Sequence, residues 1–402
     1  MKLFKATNIR ENFSSFIWLF IALYLLFSMI SITISLTFLA ISFFIWLIRC
    51  FQKKRWPAFP GFFWPLIVYA FLTLVSSFFS VDPAVSFMGS RELLLFLAVP
   101  IVYMGVLREK DLKKANLALL ASAFINILYS IFYFLLRAAP EERITSFMDH
   151  YMTQAGMLLL FCSLALSLFL FSKEKSRFLW GAGFILALFA LALTLTRSAW
   201  VGLAAAVILI LYLYRPVTLL AIPVVLGLFL LLSPQYMKKR AYDIFSLKDL
   251  SNIHRIEYLK VGIQIIEEYP LFGTGPNMVD DVFQNPKYDL TDQARENVHL
   301  HNDFIQIAAE RGIPALIAWL VFVGWAFVSL IRLLKKGEPD LKPLTVGALA
   351  ALVAVLISGL FEYNFGDSEI TILFLYILTL PFLLARIKDL RSLSPDPGFA
   401  NA

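Results

Sequence analysis

Three side chains, Arg197, Arg255 and His301, have the types and local settings from which group-transfer chemistry is built. His301 stands in HLHNDFIQIAAERGIP (299–314). There Asn302 is a strong helix N-cap and Asp303 a favourable first-turn acid. A helix of about nine residues should therefore start just after His301, end at Gly312 and hand over to a second helix at Pro314. The partial positive charge at a helix N-terminus favours a neutral imidazole, which can serve as a base; a solvated, inert histidine is the plainer alternative. His299, His301 and Asp303 could also be metal ligands. Two histidines two apart suit a strand better than a helix start, however, and no third lies near in sequence.

Arg197, in LALTLTRSAWVGLAAA, has no acidic neighbour in sequence. It can snorkel to lipid headgroups, or its guanidinium fork can hold a phosphate or pyrophosphate. The same two readings apply to Arg255, which heads SNIHRIEYLKVGIQIIEEY (251–269). In that segment Ile256, Leu259, Ile263 and Ile266 fall at helical spacing. They predict an amphipathic helix lying on a membrane surface or against the spans, ended by Pro270. Beyond it, Gly273 and Gly275 flank Thr274. The three form either an ordinary turn or one whose backbone N–H groups converge on an anion. Asp280 and Asp281 read as a solvated turn.

These residues need a frame, and composition says which. The chain is 60% hydrophobic and 16% charged, against about 25% charged in soluble domains. The net charge of +7 is dispersed in short clusters between apolar runs, which excludes a basic nucleic-acid-binding face. Twelve apolar stretches are candidate spans, near 13–30, 32–50, 62–80, 93–107, 116–136, 154–172, 177–196, 199–214, 217–233, 313–333, 343–361 and 367–385. Ser31 is expected to turn the chain between the first two, and Pro100 to kink the fourth. With the N-terminus cytoplasmic, short inside connections hold 22 Lys and Arg and short outside loops hold 4. That places both termini inside and the long connection after the ninth span outside. The expected fold is thus an all-α polytopic membrane protein of about twelve transmembrane helices, with one large, partly helical loop between spans 9 and 10. Its divisions would be a membrane part over 1–233, a loop over 234–312 and a second membrane part over 313–402. The last residues, SLSPDPGFANA, read as a short disordered end, and Cys50 and Cys162 as core or lipid-facing thiols.

Three motifs, LTRSAWVGL, HRIEYLKVGIQIIEEYPLFGTGPNM and HLHNDFIQIAAERGIPAL, give the chain a resemblance to the O-antigen ligase and polymerase superfamily of bacterial envelope glycan assembly. The likeness extends over nearly the whole chain. Tyr258 stands where the family more often has tryptophan, which keeps an aromatic ring. RITSFMDHYM (143–152) is similar to a degraded form of a further family segment, with its glycine and proline missing, so His150 is given no role.

The resemblance implies a glycosyltransferase of the bacterial inner membrane, acting on its periplasmic face. It would move a glycan from undecaprenyl pyrophosphate to a hydroxyl acceptor such as a lipid A core sugar. Arg197 and Arg255 would bind pyrophosphate and His301 would be the base, with support from His299, Asn302, Asp303, Gly273 and Gly275. It also implies a reaction without metal or other cofactor. The first outside turn, near 29–33, agrees in carrying no carboxylate. A polymerase of the same superfamily is the alternative. A transporter is the remote one, since spans nearly free of charge, with polar chemistry gathered at one face, suit an interfacial enzyme better.

Overall fold

The computed structural model describes residues 16–54, 57–136 and 142–393, and among these every regular element is helical. Five of the lysines and arginines in the charge count (Lys2, Lys5, Arg10, Arg55 and Arg137) lie outside the described residues, as does the tail from 394. Helices α1 (Ile17–Phe27) and α2 (Ile32–Lys53) divide the first apolar run. Ser31 turns the chain between them and caps α2 by accepting from the Ile34 N–H. Then come α3 (Phe63–Phe78), α4 (Pro83–Gly89) and α5 (Ala98–Gly105), with a 3₁₀ stretch, Ser90–Leu97, between the last two. The kink expected at Pro100 does not arise there. Pro100 lies in the first turn of α5, where its missing N–H costs nothing, and the irregular stretch precedes it.

Five helices lead on to the long connection: α6 (Glu109–Leu136), α7 (Tyr151–Phe171), α8 (Arg177–Leu193), α9 (Arg197–Tyr214) and α10 (Ala221–Leu232). Four more lie in or near it: α11 (Gln235–Tyr242), α12 (Leu250–Glu268), α13 (Val279–Phe283) and α14 (Asp292–Arg295). Last come α15 (Asp303–Lys335), α16 (Lys342–Ser358) and α17 (Ser368–Leu393). Among the described residues, seven helical stretches are long and apolar enough to cross a membrane, and five shorter apolar helices of 10–17 residues accompany them. The chain is a multi-pass membrane protein by this composition.

The centre of the apolar core is α7, packed against α8, α9, α16 and α17. Small residues let these helices approach, as lipid-embedded packing requires. A methyl group added at Gly202 would sit 2.8 Å from the Ala354 carbonyl oxygen. One buried polar knot crosses this core: the Asn126 amide donates to the Met29 carbonyl at 2.7 Å, and the Gln154 amide donates to Asn126.

The connection after α10 has an apolar cluster of its own, built from Tyr258, Val261, Ile265, Val279, Phe283, Tyr288, Leu290, Ala294, Leu300 and Ala309. Here the structure corrects the expected face of α12. The buried positions are Tyr258, Val261, Gly262 and Ile265, whereas Ile256, Leu259 and Ile263 are exposed. Gly262 explains the choice. A Cβ there would lie 2.2 Å from Ile305, so only this side of α12 can press against α15. The exposed isoleucine–leucine stripe remains suited to a lipid surface.

Gly312 breaks α15 with φ 81° and ψ 166°, leaving a nine-residue first segment from Asp303 to Arg311 as the capping residues predict. A Cβ at Gly312 would lie 2.2 Å from the Leu271 carbonyl oxygen. Gly312→Ala should therefore cost about 1–3 kcal/mol of strain or more. The expected result is a lower melting temperature of the purified protein, read by the fluorescence of its tryptophans. An unchanged melting temperature would show that the break relaxes freely.

Candidate active site

The first segment of α15 places the site. Asn302 caps it by accepting from the Phe304 and Ile305 N–H groups at 2.9 and 3.0 Å. The preceding residue, His301, is forced into the left-handed region (φ 49°), an uncommon conformation for a residue with a Cβ. Its neighbour Leu300 is held from behind, its N–H donating to the Gln306 side chain at 2.7 Å. The imidazole is thereby set across from the connection between α16 and α17. There His301 Nδ1 meets Glu362 Oε1 at 2.9 Å. The other ring nitrogen, Nε2, is 3.5 Å from Asn297 Oδ1.

Glu362 owes its position to the same motif residues. The Asp303 N–H donates to the Gly359 carbonyl at 2.7 Å, and the Asn302 amide donates to the Leu360 carbonyl at 3.0 Å. Arg255 Nε donates to the Phe361 carbonyl at 3.1 Å, and Asp303 Oδ1 accepts from the Phe365 N–H at 2.9 Å. Asp303 is fully buried, and a Cβ on Gly359 would collide with it. Its part is thus to fasten the 359–365 segment that carries Glu362; it makes no direct contact with His301. Burial works against the Glu362 carboxylate. The charge and hydrogen bond of His301, the Arg255 guanidinium and the Tyr363 N–H outweigh it, and its pKa lies below the usual carboxylate value.

Nδ1–H donating to an ionised Glu362 would orient the ring as in a carboxylate-oriented base, with Nε2 turned to Asn297 Oδ1, the contact that an incoming hydroxyl would replace. Three buried polar atoms in this neighbourhood have no hydrogen-bond partner among the described residues: Glu362 Oε2, His299 Nδ1 and Asp303 Oδ2. Burial lowers the pKa of His299, whose ring lies edge-on to Tyr363 at 5.2 Å. Tyr258 backs the site. Its ring is 5.5 Å from that of His301, and its hydroxyl accepts from Asn297 and donates to the Ala294 carbonyl.

The arginines divide. Arg255 makes hydrogen bonds to Phe361 and Asn252 but, among the described residues, no ion pair. Arg197, expected to be unpaired, is not. Its Nη2 is 2.6 Å from Asp249 Oδ1, and its Nη1 donates to the Asp243 carbonyl at 2.6 Å. Asp249 is remote in sequence and arrives by the fold of the long connection.

The Gly273–Thr274–Gly275 turn also differs from its anion-binding reading. The three N–H groups donate to the carbonyls of Tyr269, Ala309 and Glu310. Positive φ at Gly273 (68°) and Gly275 (103°) allows this, and a Cβ at Gly273 would meet the Glu310 backbone at 2.3 Å. The turn is a clasp on the end of the first α15 segment, with no donor left for an anion. The metal set is likewise separated, since His301 faces Glu362 and Asp303 faces Phe365. Among the described residues no three His, Cys, Asp or Glu side chains converge as ligands. His150 caps α7 through Nδ1, accepting from the Met152 N–H at 3.3 Å.

A histidine paired with a carboxylate, with Arg255 bonded to the segment that carries that carboxylate, is an arrangement capable of acid–base chemistry. Residues 182–320 match the family model described as O-antigen ligase. Over that stretch the chain is O-antigen ligase-like. No curated protein matches it. The matched stretch runs from within α8 to within α15, narrower than the nearly chain-long likeness seen in the motifs. It contains Arg197, Arg255 and His301, so these belong to the O-antigen ligase-like region, whereas Glu362 lies beyond it. Sequence reasoning missed Glu362, Asn297, Gln306 and Asp249. For Glu362 a signal existed: FEYNFGDSE (361–369) puts one acid in a connection assigned to the same side as His301, and two more at the start of the span that follows.

Proposed function

We propose that this chain is a membrane glycosyltransferase that moves a glycan from undecaprenyl pyrophosphate to a sugar hydroxyl on the non-cytoplasmic face. The observation carrying this reading is the His301–Glu362 pair beside Arg255. His301 Nε2 takes the proton of the acceptor hydroxyl, and the oxygen attacks the anomeric carbon. The bond from that carbon to pyrophosphate breaks, and its electron pair leaves on the phosphate oxygen. Arg255 and Arg197 stabilise that charge, and Glu362 stabilises the imidazolium. A single displacement inverts the anomeric centre. The orphaned Glu362 Oε2 and His299 Nδ1 are fit to hold further acceptor hydroxyls.

The twelve apolar helices, cytoplasmic termini and a loop of about 234–312 on the outer face belong to the same proposal. Its acceptor is a lipid A core sugar; a second lipid-linked repeat would make the chain a polymerase. A lipopolysaccharide gel of a deletion strain separates the two. Core without glycan marks the ligase, and core bearing one repeat marks the polymerase.

Arg255 is the arginine open to the leaving group. Arg255→Ala should lower transfer by about 10²–10³-fold, as loss of a charge-stabilising donor does. The measurement is in vitro transfer with a defined lipid-linked donor and acceptor, repeated in excess chelator. Transfer by Arg255→Ala at the wild-type rate would remove it from the site. Loss of wild-type transfer in chelator would overturn the metal-free part of the reading.

A further inference from the structure

Arg311, at the end of the first segment of α15, is a buried cation with one donor unused. Its side chain is 7% exposed. Its Nη1 is held on two sides, by Glu310 Oε2 at 2.6 Å and by the Tyr363 hydroxyl at 2.9 Å. Its Nε has no hydrogen-bond partner among the described residues. Arg311 lines a cavity of about 20 Å³ together with Glu92, Leu95 and the rings of Tyr69, Phe96 and Phe365. These three rings lie 6.0–6.1 Å from one another, centroid to centroid, and form an aromatic wall. Glu92 comes to the cavity from the 3₁₀ stretch Ser90–Leu97. Among the described residues it makes no hydrogen bond and no ion pair, although it and Arg311 are near enough to feel each other's charge. Glu310 and Tyr363 pin the guanidinium, so it cannot swing across to Glu92 without breaking an ion pair and a hydrogen bond.

What fits between the two follows from their charges. An anion would gain from Arg311 and be repelled by Glu92, and a cation would meet the reverse. A hydroxyl group satisfies both walls, since its oxygen accepts from Nε and its O–H donates to the carboxylate. The volume admits one group of that size. Water meets these demands, and so does the exocyclic hydroxymethyl arm of a sugar, which stands one carbon clear of the ring. The aromatic wall favours the sugar, because apolar surface beside a few placed polar groups suits a ligand with a C–H face and gives water nothing. Its place in the fold favours the sugar too. Tyr363, which holds Arg311, follows directly on Glu362, the partner of His301.

We propose that the Arg311–Glu92 cavity is a specificity subsite for a primary hydroxyl of a sugar substrate, with Arg311 Nε donating to the hydroxyl oxygen and Glu92 accepting from its O–H. That the hydroxyl belongs to a sugar rests on the glycan-transfer reading; the pairing of a donor and an acceptor across the cavity does not.

The test uses the full-length chain in phospholipid nanodiscs free of glycoside detergent. The probes are the methyl glycosides of glucose, galactose and mannose, each beside its 6-deoxy analogue, with binding read by saturation-transfer NMR. At least one of these sugars should bind about tenfold more tightly than its 6-deoxy analogue, the scale of one hydrogen bond to a charged group. Glu92→Ala forfeits no hydrogen bond, so it should melt like wild type and yet lose that discrimination. Leu95→Phe, which fills the cavity with a larger side chain, should lose it as well. Equal binding within every pair in wild type, or discrimination that survives Glu92→Ala, overturns the proposal. Transfer assays on the same preparations say which substrate carries the hydroxyl. Glu92→Ala should raise KM about tenfold for either the acceptor or the lipid-linked donor, with kcat little changed. KM unmoved for both, with normal wild-type transfer, sinks the subsite alone. Discrimination in a chain that transfers no glycan leaves the subsite standing and sinks the glycan-transfer reading.

Discussion

His301→Ala should abolish glycan transfer, by about 10²–10⁴-fold at least, while the protein still inserts and accumulates in the membrane. An acceptor sugar hydroxyl is a weak nucleophile at neutral pH, so the step that needs most help is removal of its proton. In the proposed reaction His301 is the group that does so. Its Nδ1 is engaged by Glu362 and its backbone is held in a left-handed conformation by the cap that follows it. The imidazole is mostly buried and alanine forfeits its pairing with Glu362 and its contact with the Tyr258 ring, whereas Asn302, which carries the cap, is untouched. Accumulation in the membrane is therefore measured beside activity, to separate loss of chemistry from loss of fold. The measurement is restoration of surface glycan in a null strain, with immunoblotting of membrane fractions to confirm accumulation. Near-normal glycan in the complemented strain would end the assignment of His301 as base.

Glu362→Gln should lower transfer by about 10²–10⁴-fold, comparable to removing the acid that orients a histidine base elsewhere. The carboxylate does two things glutamine does poorly. It demands the proton on Nδ1, so that Nε2 is free, and it stabilises the imidazolium formed as the acceptor proton arrives. A wild-type rate in Glu362→Gln would show that the pair is structural only. The same variant has a signature in stability. The Glu362 pKa is lowered on folding, so the unfolded chain binds the proton more readily in the window between the two values. The stabilisation it contributes is complete above the ordinary carboxylate value of about 4.3 and is lost as pH falls through the lowered folded value. Thermal melting of wild type should fall along this acid limb, and Glu362→Gln should lack that part of the fall. Parallel acid limbs in the two proteins would mean that Glu362 is not held ionised by its neighbours.

Both results depend on a juxtaposition that spans 61 residues of sequence. Local chemistry was legible without the fold. Apolar length marked the helices, because a chain that sheds its backbone polarity in lipid must hydrogen-bond within each segment. Asn302 and Gly312 marked the ends of the short helix, because a cap and a left-handed break act on their immediate neighbours. The arginine, turn and histidine motifs were likewise readable as types in order, and the O-antigen ligase match covers that region.

What each motif touches was a different matter. The turn could bind an anion or clasp a helix until the carbonyls of Ala309 and Glu310 were brought to its N–H groups. The apolar stripe of α12 looked like its packing face until the missing side chain of Gly262 admitted Ile305 on the other side. Arg197 looked solitary until the long connection carried Asp249 to it across 52 residues, and His301 had no visible partner until α16 and α17 presented Glu362. Periodicity and capping are short-range properties, set by residues within a turn or two of each other. Charge pairing is set by which loops the packed helices bring together, and for this protein only the tertiary structure decided that His301 has a carboxylate and Arg197 a counter-anion.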